Sequence, residues 1–187
     1  MLKDLFISVR AWLASLAVCA VLYPLVALAF GQLIVPERAQ GSLIRDDAGQ
    51  VVGSRLIAQA FTRPEYLWPR PSAVDYDAAA TGGSNLAPSN PALTERAAGA
   101  VTELSATDER PVPGELVAAS GSGMDPHITL DGALYQVPRI ADARGLAASR
   151  VEEVVRQHAA SSPWSPPLIN VLETNLALDR SFGPPAH

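Results

Sequence analysis

The sequence predicts an α+β protein: a single N-terminal transmembrane helix followed by one compact exported domain with a small sheet and several short helices. Three observations predict it. Ala11–Val35 is a run of 25 residues without a charge. The remainder alternates strand-like and helix-like stretches, each only a few residues to a few turns long. And 15 of the 16 prolines lie in residues 36–187, which breaks that part into short elements joined by fixed loops. At 187 residues the chain suits one modest domain plus an anchor, not two large domains.

The anchor comes first. As a helix, Ala11–Val35 spans about 38 Å, more than the roughly 30 Å hydrocarbon core, so it crosses with some tilt. Trp12 sits where an indole favours the headgroup level. Tyr23 and Pro24 fall mid-span, and Pro24 frees a backbone carbonyl and predicts a kink that a neighbouring helix could accommodate. Lys3, Arg10 and the terminal amine flank the run on one side, Glu37 and Arg38 on the other. The excess of positive charge in 1–10 places that segment in the cytoplasm and residues 36–187 outside it. The rival reading is a cleaved signal peptide, since Ala27-Leu28-Ala29 fits a small-residue cleavage site. The run is longer than the roughly 7–15 residues of such signals, which favours a retained anchor, and both readings export the domain. Cys19 lies inside the run and is the only cysteine, so no internal disulfide forms; it reads as a small apolar residue facing lipid or a partner helix.

In the exported part, Ser42–Ser54 reads as a hairpin around the turn-rich stretch 45–50. Ser54–Phe61 is ambiguous between strand and helix, and the prolines at 64, 69 and 71 exclude a regular helix over Arg63–Tyr76. Thr81–Asn90 is a loop ending in a helix start, with Asn90 as cap and Pro91 in the first turn. Leu93, Ala97, Val101 and Leu104 then recur at helical spacing, to about Ser105. Gly114–Gly123 reads as a strand running into a turn, and Asp131–Arg144 as a helix interrupted at Pro138. Ser149 and Glu152 form a capping-box pattern opening an amphipathic helix with Val151, Val154, Val155 and His158. Leu168–Val171 reads as a buried strand, Leu172–Asp179 as a last short helix and Ser181–His187 as a frayed tail.

Charge and chemistry narrow the function. The net charge is −5; Lys3, Arg10 and Asp4 give the first 35 residues +1, which leaves −6 on residues 36–187. An acidic domain lacks the clustered Lys and Arg that nucleic acid needs. Ser120, Ser122, Asp125 and His127 contain the residue types of a hydrolytic triad, but such triads are assembled from distant segments. Ser122 also lacks the flanking glycines of G-x-S-x-G, so a tight turn is preferred: Gly121 and Gly123 permit positive φ, and Asp125-Pro126 is a turn pair. His127, His158 and His187 match no zinc spacing. Gly82-Gly83-Ser84-Asn85 is glycine-rich but lacks the Lys-Ser/Thr of a P-loop, so it reads as a structural or docking loop. A membrane-tethered exported hydrolase and a released binding module therefore stay open as alternatives at this level.

Six stretches, in order behind the N-terminal run, together resemble the KdpC family, and they cover nearly the whole chain. They are Gly53–Phe61; Arg70-Pro71-Ser72-Ala73 with Tyr76; Gly82–Pro91; Ala118–Ile128; Ala143-Arg144-Gly145-Leu146; and Asn170-Val171-Leu172 with Asn175–Asp179. Ala87 stands where the family more often has glycine, and the tail after Phe182 matches no part of its pattern.

The resemblance implies the C subunit of the Kdp-type potassium-transporting P-type ATPase, needed for assembly and activity, with no catalytic or metal site of its own. It places the protein in the bacterial inner membrane as a single-pass protein, with residues 36–187 periplasmic. It implies two partners, a KdpB-like P-type ATPase subunit and a KdpA-like potassium-translocating subunit, and allows for a very small membrane peptide. No cofactor is expected on the chain alone; ATP and potassium enter through the complex. The family role is described as a catalytic chaperone that raises the ATP affinity of the ATPase subunit. On that description Gly82, Gly83, Ser84, Asn85 and Asn90 form a partner-docking or nucleotide-sensing loop. Arg70, Pro71, Ser72, Tyr76, Ser120, Gly121, Ser122, Gly123, Asp125, Pro126 and His127 supply structural or docking turns. The topology read above conflicts with direct contact to ATP, which is cytoplasmic.

Overall fold

The computed structural model describes residues 2–46 and 48–185, which divide into two compact units, 1–52 and 53–187. In the first unit, α1 (Leu2–Leu16), a π-helical turn (Ala17–Leu22) and α2 (Tyr23–Ile34) form one continuous helix of 33 residues, long and apolar enough to cross a membrane. The helix begins nine residues before the uncharged run, taking in Lys3, Asp4 and Arg10. Pro24 does not interrupt it. A proline ring collides with the carbonyl four residues back and offers no N–H, and here the turn before it widens instead. Tyr23 N–H bonds to Val18 O, five residues back. A short helix α3 (Pro36–Ala39) follows, then strands β1 (Leu43–Arg45) and β2 (Val51–Ser54), which pair as the expected hairpin.

The second unit is built around a three-stranded antiparallel sheet of order β3 (His127–Thr129), β5 (Ser165–Asn170), β4 (Ala160–Ser162). The α+β class holds, with two small sheets where one was expected. Ile128 lies opposite Ile169 in the β3–β5 register. Both are fully buried, with Leu67, Ile140, Val151, Val155 and Leu178 around them. Burying each of these side chains contributes about 1.5–3 kcal/mol against leaving it in water. Three helices supply most of the remaining core: α5 (Leu130–Arg144), α6 (Ala148–Gln157) and α7 (Val171–Phe182). Thr129 caps α5 by accepting from Gly132 N–H at 3.1 Å, and Asn170 caps α7 by accepting from Glu173 N–H at 3.1 Å.

Several local expectations are corrected. Ser54–Phe61 is neither strand nor helix past Ser54, because it turns at once and then runs irregularly. Gly114–Gly123 is not a strand; it opens with a 3-10 turn, Gly114–Leu116, whose Leu116 plugs the core. Pro138 does not interrupt α5, since it sits on the exposed face where its ring meets water and only one backbone bond is lost. The capping box at Ser149 does not form. Burial of Val151, Val154 and Val155 sets the phase of α6 so that it starts at Ala148, with Ala147 as an uncapped N-cap and Ser149 already inside the first turn. β3 and β4 were not expected, and α7 extends to Phe182, so Ser181 is helical rather than frayed; Ala186 and His187 lie outside the described residues. The helix α4 (Pro91–Glu103) forms as expected with Asn90 as its cap. Its apolar positions, however, bury nothing: Leu93 and Ala97 are half-buried and Val101 is exposed.

Candidate functional site

Three loops of the second unit, 70–76, 82–83 and 119–127, are woven into one block. The weave starts at Ser72. A serine hydroxyl two residues before a free N–H favours a local turn, and Ser72 Oγ accepts from Val74 N–H at 3.1 Å and from Tyr76 N–H at 3.0 Å. The same hydroxyl donates to Gly123 O at 2.7 Å, which ties the first loop to the third. Ser120 N–H donates to Pro71 O at 2.9 Å, a second tie. Gly82 N–H donates to Ser122 O at 2.9 Å and joins the middle loop.

The block is tight because two glycines let backbones meet. Gly123 has φ +71°, and a Cβ placed there would lie 2.4 Å from Val74 Cγ2 and 2.8 Å from Gly82 O. A Cβ on Gly83 would lie 3.1 Å from Gly121 O. Tyr76 is held at φ +58°, uncommon for an aromatic residue. Its hydroxyl donates to Arg70 O at 3.0 Å, which closes the turn. Burial, with the nearby Asp75 and Glu103 charges, pushes the Tyr76 phenol above its ordinary pKa.

Charged groups rim the block. Asp125 Oδ1 accepts from His127 N–H at 3.0 Å, fixing the Asp-Pro turn. Arg70 Nη1 lies 3.5 Å from Asp125 Oδ2 and its Nη2 donates to Ala119 O at 3.4 Å. His127 Nδ1 is 3.6 Å from Asp125 Oδ1. Pro126 is buried, and its carbonyl accepts from Val171 N–H at 3.0 Å, which seats the block on the start of α7. The two serine hydroxyls, Ser120 and Ser122, pair with each other at 3.3 Å. Among the described residues no hydrogen bond joins His127 to either of them, so the Asp–His pair does not extend to a nucleophile in this arrangement.

The structure thus gathers Arg70, Pro71, Ser72, Tyr76, Gly82, Gly83 and 120–127, but not every expected residue. Ser84 is half-buried beside the weave, while Asn85, at φ +51°, is exposed. Asn90 stands apart at the start of α4, where its Oδ1 accepts from Ala92 N–H at 3.0 Å. Gly82 N–H is spent on Ser122 O, which takes one backbone donor of this loop out of reach of a phosphate. No group of three or more His, Cys, Asp or Glu residues among the described residues is placed to hold a metal.

Sequence reasoning missed the support beneath the block. Two buried amides, one from α5 and one from α7, grip consecutive residues of the proline-rich loop. Asn175 accepts from Leu67 N–H at 2.8 Å and donates to Leu67 O at 3.0 Å. Gln136 accepts from Trp68 N–H at 2.8 Å and donates to Trp68 O at 3.0 Å. Arg139 stacks over Trp68, 3.8 Å from the ring, and burial pulls its pKa down to about 10, which leaves it charged at neutral pH. Arg144 pairs with Asp179 at 2.7 Å, and Asp179 also accepts from the Tyr66 hydroxyl at 3.0 Å. Burial and that hydrogen bond to Asp179 raise the Tyr66 pKa. The available signal was a polar amide at an apolar-facing helix position, as at Gln136 and Asn175. Beside the block a cleft of about 350 Å³ opens against α4, lined by Phe61, Trp68, Tyr76, Arg96, Glu103 and Leu104.

Residues 5–180 match the family model described as "K+-transporting ATPase, c chain", KdpC. The chain is 48% identical over 182 residues to the potassium-transporting ATPase KdpC subunit of Parvibaculum lavamentivorans, covering 96% of this chain and 97% of that protein. It is 47% identical to the KdpC subunit of Pseudomonas aeruginosa, over 93% of this chain and 97% of that one. The KdpC subunit of Myxococcus xanthus is 43% identical, over 98% of this chain and 91% of its own.

Proposed function

The chain belongs to the KdpC family of potassium-transporting ATPase subunits, and from that premise we propose that it is a non-catalytic accessory subunit of an ATP-driven potassium pump. The Leu2–Ile34 helix anchors it in the bacterial inner membrane with the N-terminus cytoplasmic, and residues 36–187 work on the periplasmic face. Its partners are a KdpB-like P-type ATPase subunit and a KdpA-like potassium-translocating subunit, with room for a very small membrane peptide. The observation that carries this reading is the woven block: Arg70–Tyr76, Gly82-Gly83 and Ala119–His127 are tied to one another by backbone and serine hydrogen bonds. A surface fixed in this way loses little conformational entropy on docking, which suits a structural subunit better than a nucleophile or a phosphate cradle.

ATP affinity is then raised at a distance. A loop on the outer face cannot touch a cytoplasmic nucleotide, so Gly82–Asn85 acts by favouring the partner conformation that binds ATP more tightly, a linkage effect. The domain docks against the channel-like subunit near its ion entrance. The −6 charge on residues 36–187 enriches cations there only slightly, because salt screens it.

The test is an affinity purification. Cells are starved of potassium, membranes are solubilised in mild detergent, and proteins that come with a C-terminally tagged chain are identified by mass spectrometry. Stoichiometric recovery of a P-type ATPase subunit and a channel-like subunit is expected. Recovery of the chain alone, or of a chain cut after Ala29, would overturn the proposal. ATP dependence of pump activity with and without the subunit tests the chaperone role: unchanged half-saturation by ATP would remove it.

A further inference from the structure

The β4–β5 hairpin ends in a feature the docking block does not use. Trp164, at its tip, is 92% exposed. Exposed tryptophan costs free energy unless something covers it. From Ala159 to Leu172 the chain carries no charged residue. The hairpin is also poor in unsatisfied donors. Pro163, Pro166 and Pro167 have no N–H, Ser162 pairs with Ser165 across the turn, and Trp164 N–H donates to Ser162 Oγ at 3.3 Å. A segment that is neutral and proline-fixed can enter the headgroup layer without stranding charges, and the outward backbone groups of the edge strand β4 stay within reach of water and headgroups there.

We infer that this tip is a lipid contact: the Trp164 indole seats in the headgroup layer of the bilayer. Tryptophan favours that layer, where the ring meets the acyl boundary and the indole N–H meets water and headgroups. The hydroxyls of Ser161, Ser162 and Ser165 offer headgroups uncharged partners. A protein partner fits less well. Among the described residues from 53 onward the other exposed large apolar side chains are only Leu56 and Val101, so Trp164 is not the centre of an apolar patch of interface size. A bilayer is also at hand, because the same chain carries the Leu2–Ile34 helix. The inference uses that anchor and not the pump assignment.

The experiment reconstitutes the full-length chain in phosphatidylcholine nanodiscs, with and without lipids brominated close to the headgroup, as wild type and as Trp164→Ala. The emission difference between the two proteins isolates Trp164 from Trp12 and Trp68. Brominated lipid is expected to remove more than about half of that component, with little change on adding salt, since the tip is neutral. A component that is unquenched by brominated lipid and fully open to aqueous quencher overturns the inference. So does one that becomes protected only when other pump subunits are present, without lipid quenching, which would assign the tip to a protein partner. Quenching of Trp12 in the Trp164→Ala protein reports insertion of the N-terminal helix separately. Failure of the anchor is thereby distinguished from failure at the hairpin.

Discussion

Replacing Gly123 by alanine tests whether the woven block is as tight as its geometry requires. Two costs apply. At φ +71° an L-residue loses roughly 1–2 kcal/mol relative to glycine. The new methyl would also stand 2.4 Å from Val74 Cγ2, 2.8 Å from Gly82 O and 3.2 Å from Ser72 Oγ. Val74 can shift, but Gly82 O belongs to backbone tied to the third loop by its own N–H. Forcing a methyl into such a site costs about 1–3 kcal/mol. The total, roughly 2–5 kcal/mol, is a large share of the 5–15 kcal/mol typical of a domain. At about 4 °C per kcal/mol for a unit of this size, the melting midpoint falls by roughly 8–20 °C. The measurement is a thermal scan by near-ultraviolet circular dichroism on the full-length chain in detergent, with Gly121→Ala as the matched control. Gly121 lies outside the left-handed region and a Cβ there meets nothing within 4 Å. The control should therefore stay within about 0.5 kcal/mol of wild type. Equal midpoints for all three proteins, or equal losses for both variants, would refute the close-approach argument.

The remaining predictions concern the support beneath the block. Asn175→Ala leaves both backbone groups of the buried Leu67 without partners, and at about 1–3 kcal/mol for each it should lower the free energy of unfolding in urea by roughly 2–6 kcal/mol. Asp179→Asn strands the Arg144 guanidinium, whose side chain is only 4% exposed; a loss of about 3 kcal/mol is expected, and combining it with Tyr66→Phe should cost less than the sum of the two, read from a double-mutant cycle. Tyr66 and Tyr76 both have raised folded pKa values against an ordinary 10.0. The folded state thus keeps protons that the unfolded state releases, so their contribution is full below about pH 10 and is lost as pH climbs through the raised values. Unfolding midpoints should drop from about pH 10 upward, and Tyr66→Phe with Tyr76→Phe should flatten that limb.

How much of this was legible in the sequence depended on whether a signal was local. The apolar run, the Ser42–Ser54 hairpin and the Asn90-Pro91 helix start declare themselves within a few residues, and all three formed. The capping pattern at Ser149 is just as local, yet tertiary packing overrode it, because burying Val151, Val154 and Val155 fixed the helix phase. Strand β3 is only three residues long and exists because Ile128 meets Ile169, a pairing that sequence neighbours cannot announce. The same holds for the candidate site. The glycine turns at 82–83 and 121–123 were visible as turns, but their meeting is a matter of approach between segments far apart in the chain. Asn175 and Gln136 gave the weakest signal of all, since a polar residue on a helix is ordinarily read as a surface residue.

The tie between Gly82 and Ser122 also closes a long excursion, which leaves the block at Gly83, carries α4 and returns to the core at Leu116. No side chain of α4 is buried, so this helix contributes little to the core, and the segment is held chiefly at its ends, by the Gly82–Ser122 tie and by Leu116 in the core. Evolution can therefore treat it as a variable panel. Doubling the length of such a loop adds only about 0.6 kcal/mol of closure entropy, a penalty the base absorbs without disturbing the sheet. Insertions and deletions among relatives should collect between residues 84 and 111, while the glycines at its foot hold their spacing. In exchange with deuterated water, the α4 amides should likewise open long before those of α5 and α7.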